Sequence, residues 1–309
     1  MARTKVVITG AGGMLATALE SGLSPDFPVT ALTEQQLDIT DREAVFKSVE
    51  TLQPELIINT AAYTAVDQCE SDEARAMLIN GTAVGYLARA AQKTGSRLIH
   101  ISTDYVFDGE KEGPYREEDK TNPLSAYGRS KLLGEQELMN SCDTYVILRT
   151  QWLFGENGKN FVDTILQLAQ QNSSLKVVDD QYGSPTYTRD LVSVIRWFAE
   201  HPDVRGKVFH FSNEGIVSWF GFAREILKLA GMTTDVIPVG SAEFPRPARR
   251  PHNSALDKTA VKQITKVDIR PWYDALYEYM ESNGRLRQRP GSSGAEPHSD
   301  RIKREEGVV

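Results

Sequence analysis

The stretch Lys5-Val6-Val7-Ile8-Thr9-Gly10-Ala11-Gly12-Gly13-Met14-Leu15-Ala16 decides the fold. Val6–Ile8 is a β-branched run of the kind that suits a pleated, buried strand. It stops at Thr9-Gly10. From Met14 a helical pattern begins, with Leu15, Leu19 and Leu23 on one face. A glycine turn between strand and helix lets backbone amides approach an anion at the positive helix end. Gly10-x-x-Gly13-x-x-Ala16 therefore reads as a dinucleotide cradle, with Gly10 and Gly13 as cofactor-binding candidates. Glycines also make ordinary tight turns, so the reading depends on the pattern of the next hundred residues.

That pattern is a regular alternation. Val29–Leu32 reads as a strand, and Thr40-Asp41-Arg42-Glu43 as a capping box opening a helix that Pro54 ends. Leu56-Ile57-Ile58-Asn59 is a continuous apolar strand of the kind covered on both faces. A helix is expected from about Asp72 to Lys93, closed by Gly95. Leu98–Ser102 is another buried strand, Ser125 caps a further helix, and Tyr145–Leu148 is one more strand. Such alternation predicts an α/β fold: a Rossmann-like, doubly wound parallel sheet spanning residues 1–150. Ligands then sit at the carboxyl ends of the strands. The polar motifs at Gly10, Asn59-Thr60-Ala61-Ala62, Thr103-Asp104 and Arg149-Thr150 all come directly after strands and should converge on one sheet edge.

Beyond Arg149 the pattern loosens. Helices are expected at Phe161–Gln171, Thr188–Glu200 and Ser218–Ala230. Residues 151–283 read as a smaller substrate-binding part, with segments returning to the first domain. Residues 284–309 carry Gly, Pro, Ser and charges without apolar periodicity, and are expected to form a disordered tail.

The bulk numbers narrow the function. The chain has 309 residues and a net charge of -7, which gives no electrostatic case for nucleic acid or an anionic membrane. No apolar run approaches the ~20 residues of a membrane span. The chain enters its first strand without a signal-like segment, so a cytoplasmic location is expected. Cys69 and Cys142 fit buried reduced thiols, and the five histidines show no ligand spacing, so no histidine-based metal site is expected.

The chemistry is carried by Ile101-Ser102-Thr103-Asp104-Tyr105-Val106-Phe107-Asp108-Gly109 and by Tyr127-Gly128-Arg129-Ser130-Lys131. Tyr127 and Lys131 lie four residues apart, on one face of a helix. A carbonyl that accepts hydride needs a proton at once. A free phenol, with a pKa of ~10, is a poor acid at neutral pH unless its phenolate is stabilised. A lysine ammonium one turn away supplies that stabilisation and can hold a nicotinamide ribose. Thr103, just past a strand end, can hydrogen-bond the substrate oxygen. Asp104 can bond a sugar hydroxyl or cap a turn. After the second strand, Glu34 favours a ribose 2′-hydroxyl, while Thr33 and Gln35 can donate to a 2′-phosphate. The choice between NADH and NADPH is close to even, with NADPH slightly preferred.

These motifs resemble a known family. Gly-x-x-Gly-x-x-Ala, Asn-Thr-Ala-Ala-Tyr-Thr-Ala-Val-Asp (59–67), Ser-Thr-Asp-Tyr-Val-Phe-Asp-Gly (102–109), Tyr-x-x-x-Lys (127–131) and Arg-Thr-Gln-Trp-Leu-Phe-Gly (149–155) are similar to extended short-chain dehydrogenases/reductases. Within these, they look like the dTDP-4-dehydrorhamnose reductases, over roughly residues 4–283. The resemblance implies cofactor contacts at Gly13, Met14, Leu15, Asp38, Ile39, Ala62, Tyr63, Thr64, Tyr127 and Lys131. It implies substrate contacts at Thr103, Asp104 and Trp152, and Tyr127 as proton donor. Arg250-Pro251 and the stretch 180–186 look like the nucleotide-sugar side. Some members dimerise through magnesium held by acidic residues. Here the first-helix position is Ala18, with Glu20 nearby, so magnesium is not expected and the chain is a monomer or homodimer.

The expected function is NAD(P)H-dependent reduction of a C4 ketone on dTDP-4-dehydro-L-rhamnose. A related epimerase or 4,6-dehydratase is the first alternative. Dehydratases of this kind carry Asp-Glu after the threonine, where this chain has Asp104-Tyr105. A non-catalytic regulatory subunit resembling the methionine adenosyltransferase β subunit is the second alternative. The intact Thr103, Tyr127 and Lys131 weigh against it.

Overall fold

The computed structural model describes residues 4–287. Its first half alternates as β1 (Val6–Thr9), α1 (Met14–Leu23), β2 (Val29–Leu32), α2 (Arg42–Leu52), β3 (Leu56–Asn59), α3 (Val66–Ser71), α4 (Glu73–Ala76), a π turn (Met77–Thr82) and α5 (Ala83–Thr94). Then come β4 (Arg97–Thr103), a short 3-10 turn (Asp104–Val106), α6 (Ala126–Ser141) and β5 (Tyr145–Thr150). The second half holds β6 (Leu153–Phe154), α7 (Phe161–Gln171), β7 (Ser174–Val178), β8 (Tyr182–Gly183), β9 (Thr186–Tyr187), α8 (Thr188–Glu200) and β10 (Lys207–His210). It closes with β11 (Val217–Ser218), α9 (Trp219–Ala230), β12 (Asp235–Val239), α10 (Thr259–Thr265) and α11 (Trp272–Ser282).

Six strands form one all-parallel sheet in the order β10-β5-β4-β3-β1-β2. This is the Rossmann-like α/β architecture. One face packs Ile8, Ile58, Ile99 and Leu148 against α1 and α8; the other packs Ile57, Leu98 and Ile147 against α2, α5 and α6. The strands thus read as apolar runs because both faces are covered. The strand order reverses between β1 and β3, which places a crevice at their carboxyl ends. β10 returns late in the chain to extend the sheet beside β5. A third core, with Phe154, Tyr187, Phe222 and Tyr279, joins α7, α9 and α11 beyond the strand ends.

Three local expectations are corrected. Asp41, not Thr40, is the N-cap of α2: its side chain accepts from Ala44 N at 3.0 Å, while Thr40 turns back to Asp38. The helix expected from Asp72 to Lys93 is interrupted by the π turn at Met77–Thr82. The extra residue per turn is tolerated because tertiary contacts hold it: Asn80 donates to Tyr63 O (3.0 Å) and accepts from Tyr63 N (2.7 Å). The tail expected from 284 starts too early, since the Arg285 amide donates to Met280 O (2.8 Å) and the Arg287 amide to Leu229 O (2.9 Å). The remainder of that tail, from 288 on, lies outside the described residues.

Candidate active site

A cleft of about 1050 Å³ opens at the carboxyl ends of β1, β3, β4 and β5. Gly10, Gly13, Met14, Leu15, Asp38, Ile39, Ala62, Tyr63, Thr64, Thr103, Asp104, Tyr127, Lys131 and Trp152 all line it. Arg250 does not. Its guanidinium is bidentate to Asp67, at 3.1 Å to each carboxylate oxygen.

The first wall is shaped for a dinucleotide. Gly10 sits at φ +80°, and a Cβ there would stand 2.8 Å from the Ala61 backbone. Only glycine permits this approach of the first turn to β3. Gly13 caps α1 with extended backbone and no side-chain capping bond, so the first-turn amides are left for a ligand. Asp38 accepts from the Thr40 amide and hydroxyl, at 2.8 and 2.7 Å, and so shapes the turn beside Ile39. Asn80, from the π turn, fixes the Tyr63 backbone and also donates to Ser130 of α6 at 3.0 Å. These residues fit the pyrophosphate and riboses of a nicotinamide dinucleotide. Among the described residues, no three His, Cys, Asp or Glu side chains are grouped to hold a metal ion.

The second wall carries the reactive groups. Ser125 caps α6, accepting from Gly128 N at 3.1 Å, and so starts the helix that presents Tyr127 and Lys131. Burial pushes the Tyr127 phenol above its ordinary pKa; Thr103 opposes the shift, while Asp104, Tyr105 and Cys69 reinforce it. Lys131 Nζ is held by Ile101 O at 2.6 Å, with His100 Nε2 at 3.3 Å. Burial lowers Lys131 to about 8, with Glu135 opposing.

Asp104 is 2% exposed, and burial raises its carboxyl to about 7. Its Oδ1 accepts from the Thr103 hydroxyl at 2.9 Å, and its Oδ2 has no partner. Thr150 Oγ1 and Gln151 Nε2 are also buried without partners, and both residues line the cleft. Trp152, in the left-handed region at φ +47°, stacks on Trp219 with centroids 3.5 Å apart. Sequence reasoning does not single out Gln151 or Trp219 as site residues. Gln151 lies inside the motif at 149–155 and could have been found there, but Trp219 reaches the cleft only through the packing of α9.

The chain matches the model of the RmlD substrate binding domain over residues 4–284. It is 42% identical to a dTDP-4-dehydrorhamnose reductase of Aggregatibacter actinomycetemcomitans, covering 88% of this chain and 97% of the relative. The chain belongs to the dTDP-4-dehydrorhamnose reductase family. It is also 42% identical to the spore coat polysaccharide biosynthesis protein SpsK of Bacillus subtilis, over 90% of this chain and 97% of that one. Among solved structures, the reductase from Bacillus anthracis in complex with NADP superposes with a TM-score of 0.88 at 36% identity, covering 91% of this chain and all of that one. The family's fold, with the glycine turn and the Tyr127–Lys131 helix on facing walls, makes the cleft a nicotinamide-dependent oxidoreductase site.

Proposed function

We propose that this chain reduces the C4 ketone of dTDP-4-dehydro-L-rhamnose to dTDP-L-rhamnose, using NADPH or NADH. The observation that carries the reading is the wall beside Tyr127. Asp104 Oδ2, Thr150 Oγ1 and Gln151 Nε2 are buried and unpaired there. Buried polar atoms normally have partners, and a hydroxyl-rich ring pressed against this wall supplies them. Trp152 and Trp219 offer flat apolar faces beside it.

A nicotinamide cofactor held along the glycine-turn wall would supply the hydride. Tyr127 supplies the proton: its raised pKa keeps it protonated until an oxyanion develops beside it. The Thr103 hydroxyl, which donates to Asp104 in the absence of substrate, would turn to donate to the same oxygen. Lys131 contributes charge to the nicotinamide-ribose side of the cleft. Position 105 is a tyrosine packed edge-on against Tyr127, with centroids 5.5 Å apart, so no second carboxylate is at hand for elimination. That disfavours the dehydratase alternative. Two buried free thiols, Cys69 and Cys142, suit a reducing compartment such as the cytoplasm.

The test is NADPH and NADH consumption against a panel of 4-keto nucleotide sugars. Oxidation of either cofactor with dTDP-4-dehydro-L-rhamnose is expected; none would end the reading. Tyr127→Phe should lower turnover by about 10²- to 10⁴-fold while cofactor binding persists. Unchanged turnover would remove Tyr127 from the chemistry.

A further inference from the structure

Gln151 follows directly on β5, whose last residue, Thr150, pairs with Thr103 at the end of β4. It is 2% exposed, yet it lines the cleft. The groups that hold it come from far along the chain. The Ser184 amide donates to Gln151 Oε1 at 3.1 Å, and the Ser254 hydroxyl donates to the same oxygen at 3.0 Å. Both serines are buried and fastened in turn: the Ser184 hydroxyl donates to Gly215 O at 2.6 Å, and the Ser254 amide to Tyr182 O at 2.8 Å. Gly183 permits this approach, since a Cβ there would stand 2.6 Å from Gln151 Oε1 and 2.7 Å from the Trp152 ring. The stretch 180–186 thereby closes on a single side-chain amide.

A backbone amide can only donate, so Ser184 fixes which end of the Gln151 side chain is oxygen. Nε2 is then the end that carries the N–H groups, and it is buried without a partner among the described residues. A clamped amide cannot turn to find one, so the donor is left for a ligand. We propose that Gln151 is a specificity-determining residue: its Nε2–H donates to a hydroxyl oxygen of the substrate's sugar ring, and a sugar lacking that hydroxyl leaves the donor buried and unpaired. This role rests on the reductase reading and narrows it to one sugar contact.

The partner has to be an acceptor, because an amide NH2 offers only protons. A phosphate is the poorer match. Asp104 lines the same cleft, and the Arg250 guanidinium that could balance a phosphate is tied to Asp67. A hydroxyl suits both neighbours: it can accept from Gln151 Nε2 while pairing with Asp104 Oδ2, also unpartnered among the described residues. Ser254 links the two, donating to Gln151 and standing beside the Asp104 carboxyl. The Thr103–Thr150 pairing puts Gln151 one residue beyond the threonines at the reacting end of the cleft, so the contact falls on the sugar and not on the nucleotide.

Titration calorimetry with dTDP-L-rhamnose and with dTDP tests this, on the wild type and on Gln151→Met, which removes the donor at similar volume. The Kd for dTDP-L-rhamnose should rise about 10- to 100-fold in the variant, while the Kd for dTDP stays within about twofold. Analogues of dTDP-L-rhamnose lacking the 2- or the 3-hydroxyl complete a cycle. One of them should bind the wild type about as weakly as dTDP-L-rhamnose binds the variant, and should weaken no further in Gln151→Met. Equal binding of dTDP-L-rhamnose by wild type and variant overturns the proposal, as does an equal loss for dTDP or a further loss for both analogues. A wild type that does not bind dTDP-L-rhamnose at all ends the reductase reading itself, and this role with it. Should Gln151→Met not fold, the wild type decides: a loss of about 10- to 100-fold for one analogue supports the proposal, and both analogues within about twofold of dTDP-L-rhamnose overturn it.

Discussion

Asp104 shows how burial, not residue type, sets the behaviour of a side chain. Its carboxyl is raised from 3.8 to about 7, because the charged form has lost its water. The folded state therefore holds a proton that the unfolded chain releases near pH 4. Stability falls as pH rises from about 4 through 7, since the native state binds more protons over that window. A shift of this size corresponds to about 4 kcal/mol at most. Asp104→Asn should abolish that slope, as read by urea denaturation at pH 5 and pH 8; an unchanged slope would mean that Asp104 is ionised in the folded protein. At the cofactor end, Glu34 is exposed and lines the cleft. Its charge opposes a 2′-phosphate across solvent. Glu34→Gln should raise the preference for NADPH over NADH by about 2- to 5-fold, the range of a screened surface charge. Paired Kd measurements for the two cofactors check this.

Among the elements, α6 carries the reactive groups and is fastened from below. Tyr127, Lys131 and Glu135 recur at four-residue spacing, on the face turned to β4 and β5. Glu135 is fully buried and holds the Arg149 guanidinium through two hydrogen bonds, while Ser102 donates to the same carboxylate. Removing one partner of such a pair leaves a buried charge uncompensated. Glu135→Ala should cost about 3–5 kcal/mol in urea unfolding. A loss below 1 kcal/mol would show that Arg149 finds another partner. The spacing of Tyr127 and Lys131 was legible in the sequence. The destination of Lys131 was not, because the carbonyl that binds it belongs to a strand thirty residues earlier in the chain. The π turn was hidden for a similar reason: Asn80 looks like any helical asparagine until Tyr63 packs beside it.

Across the whole molecule, two polar rows cross the parallel sheet. Thr9, Asn59 and His100 form one; Ser102, Arg149 and His210 form the next. Lys131 rests on the first and Glu135 on the second. The sheet is therefore apolar along most of its length and polar where the cleft opens. Gly109, at φ +81°, lets the segment after β4 touch Pro251, where a Cβ would stand 2.6 Å from the proline side chain. A ligand that bridges β1, β3 and α6 should stabilise all of them together. NADPH at a hundredfold excess over its Kd should add about 2.7 kcal/mol to the unfolding free energy, seen as a rise in Tm. No rise would mean that the cleft does not hold a dinucleotide.

The sequence by itself determined the alternation of strands and helices, the glycine turn and the Tyr127–Lys131 spacing, because each is written in adjacent residues. Periodicity and turn chemistry are local physics, and they read directly. Only the tertiary structure decided what those side chains meet. It gave Lys131 to Ile101 and His100, paired Arg250 with Asp67 outside the cleft, and brought Trp219 onto Trp152. These contacts join residues far apart in the chain, and burial between them sets the charges. Strand register and helix packing, not neighbours in sequence, fix both.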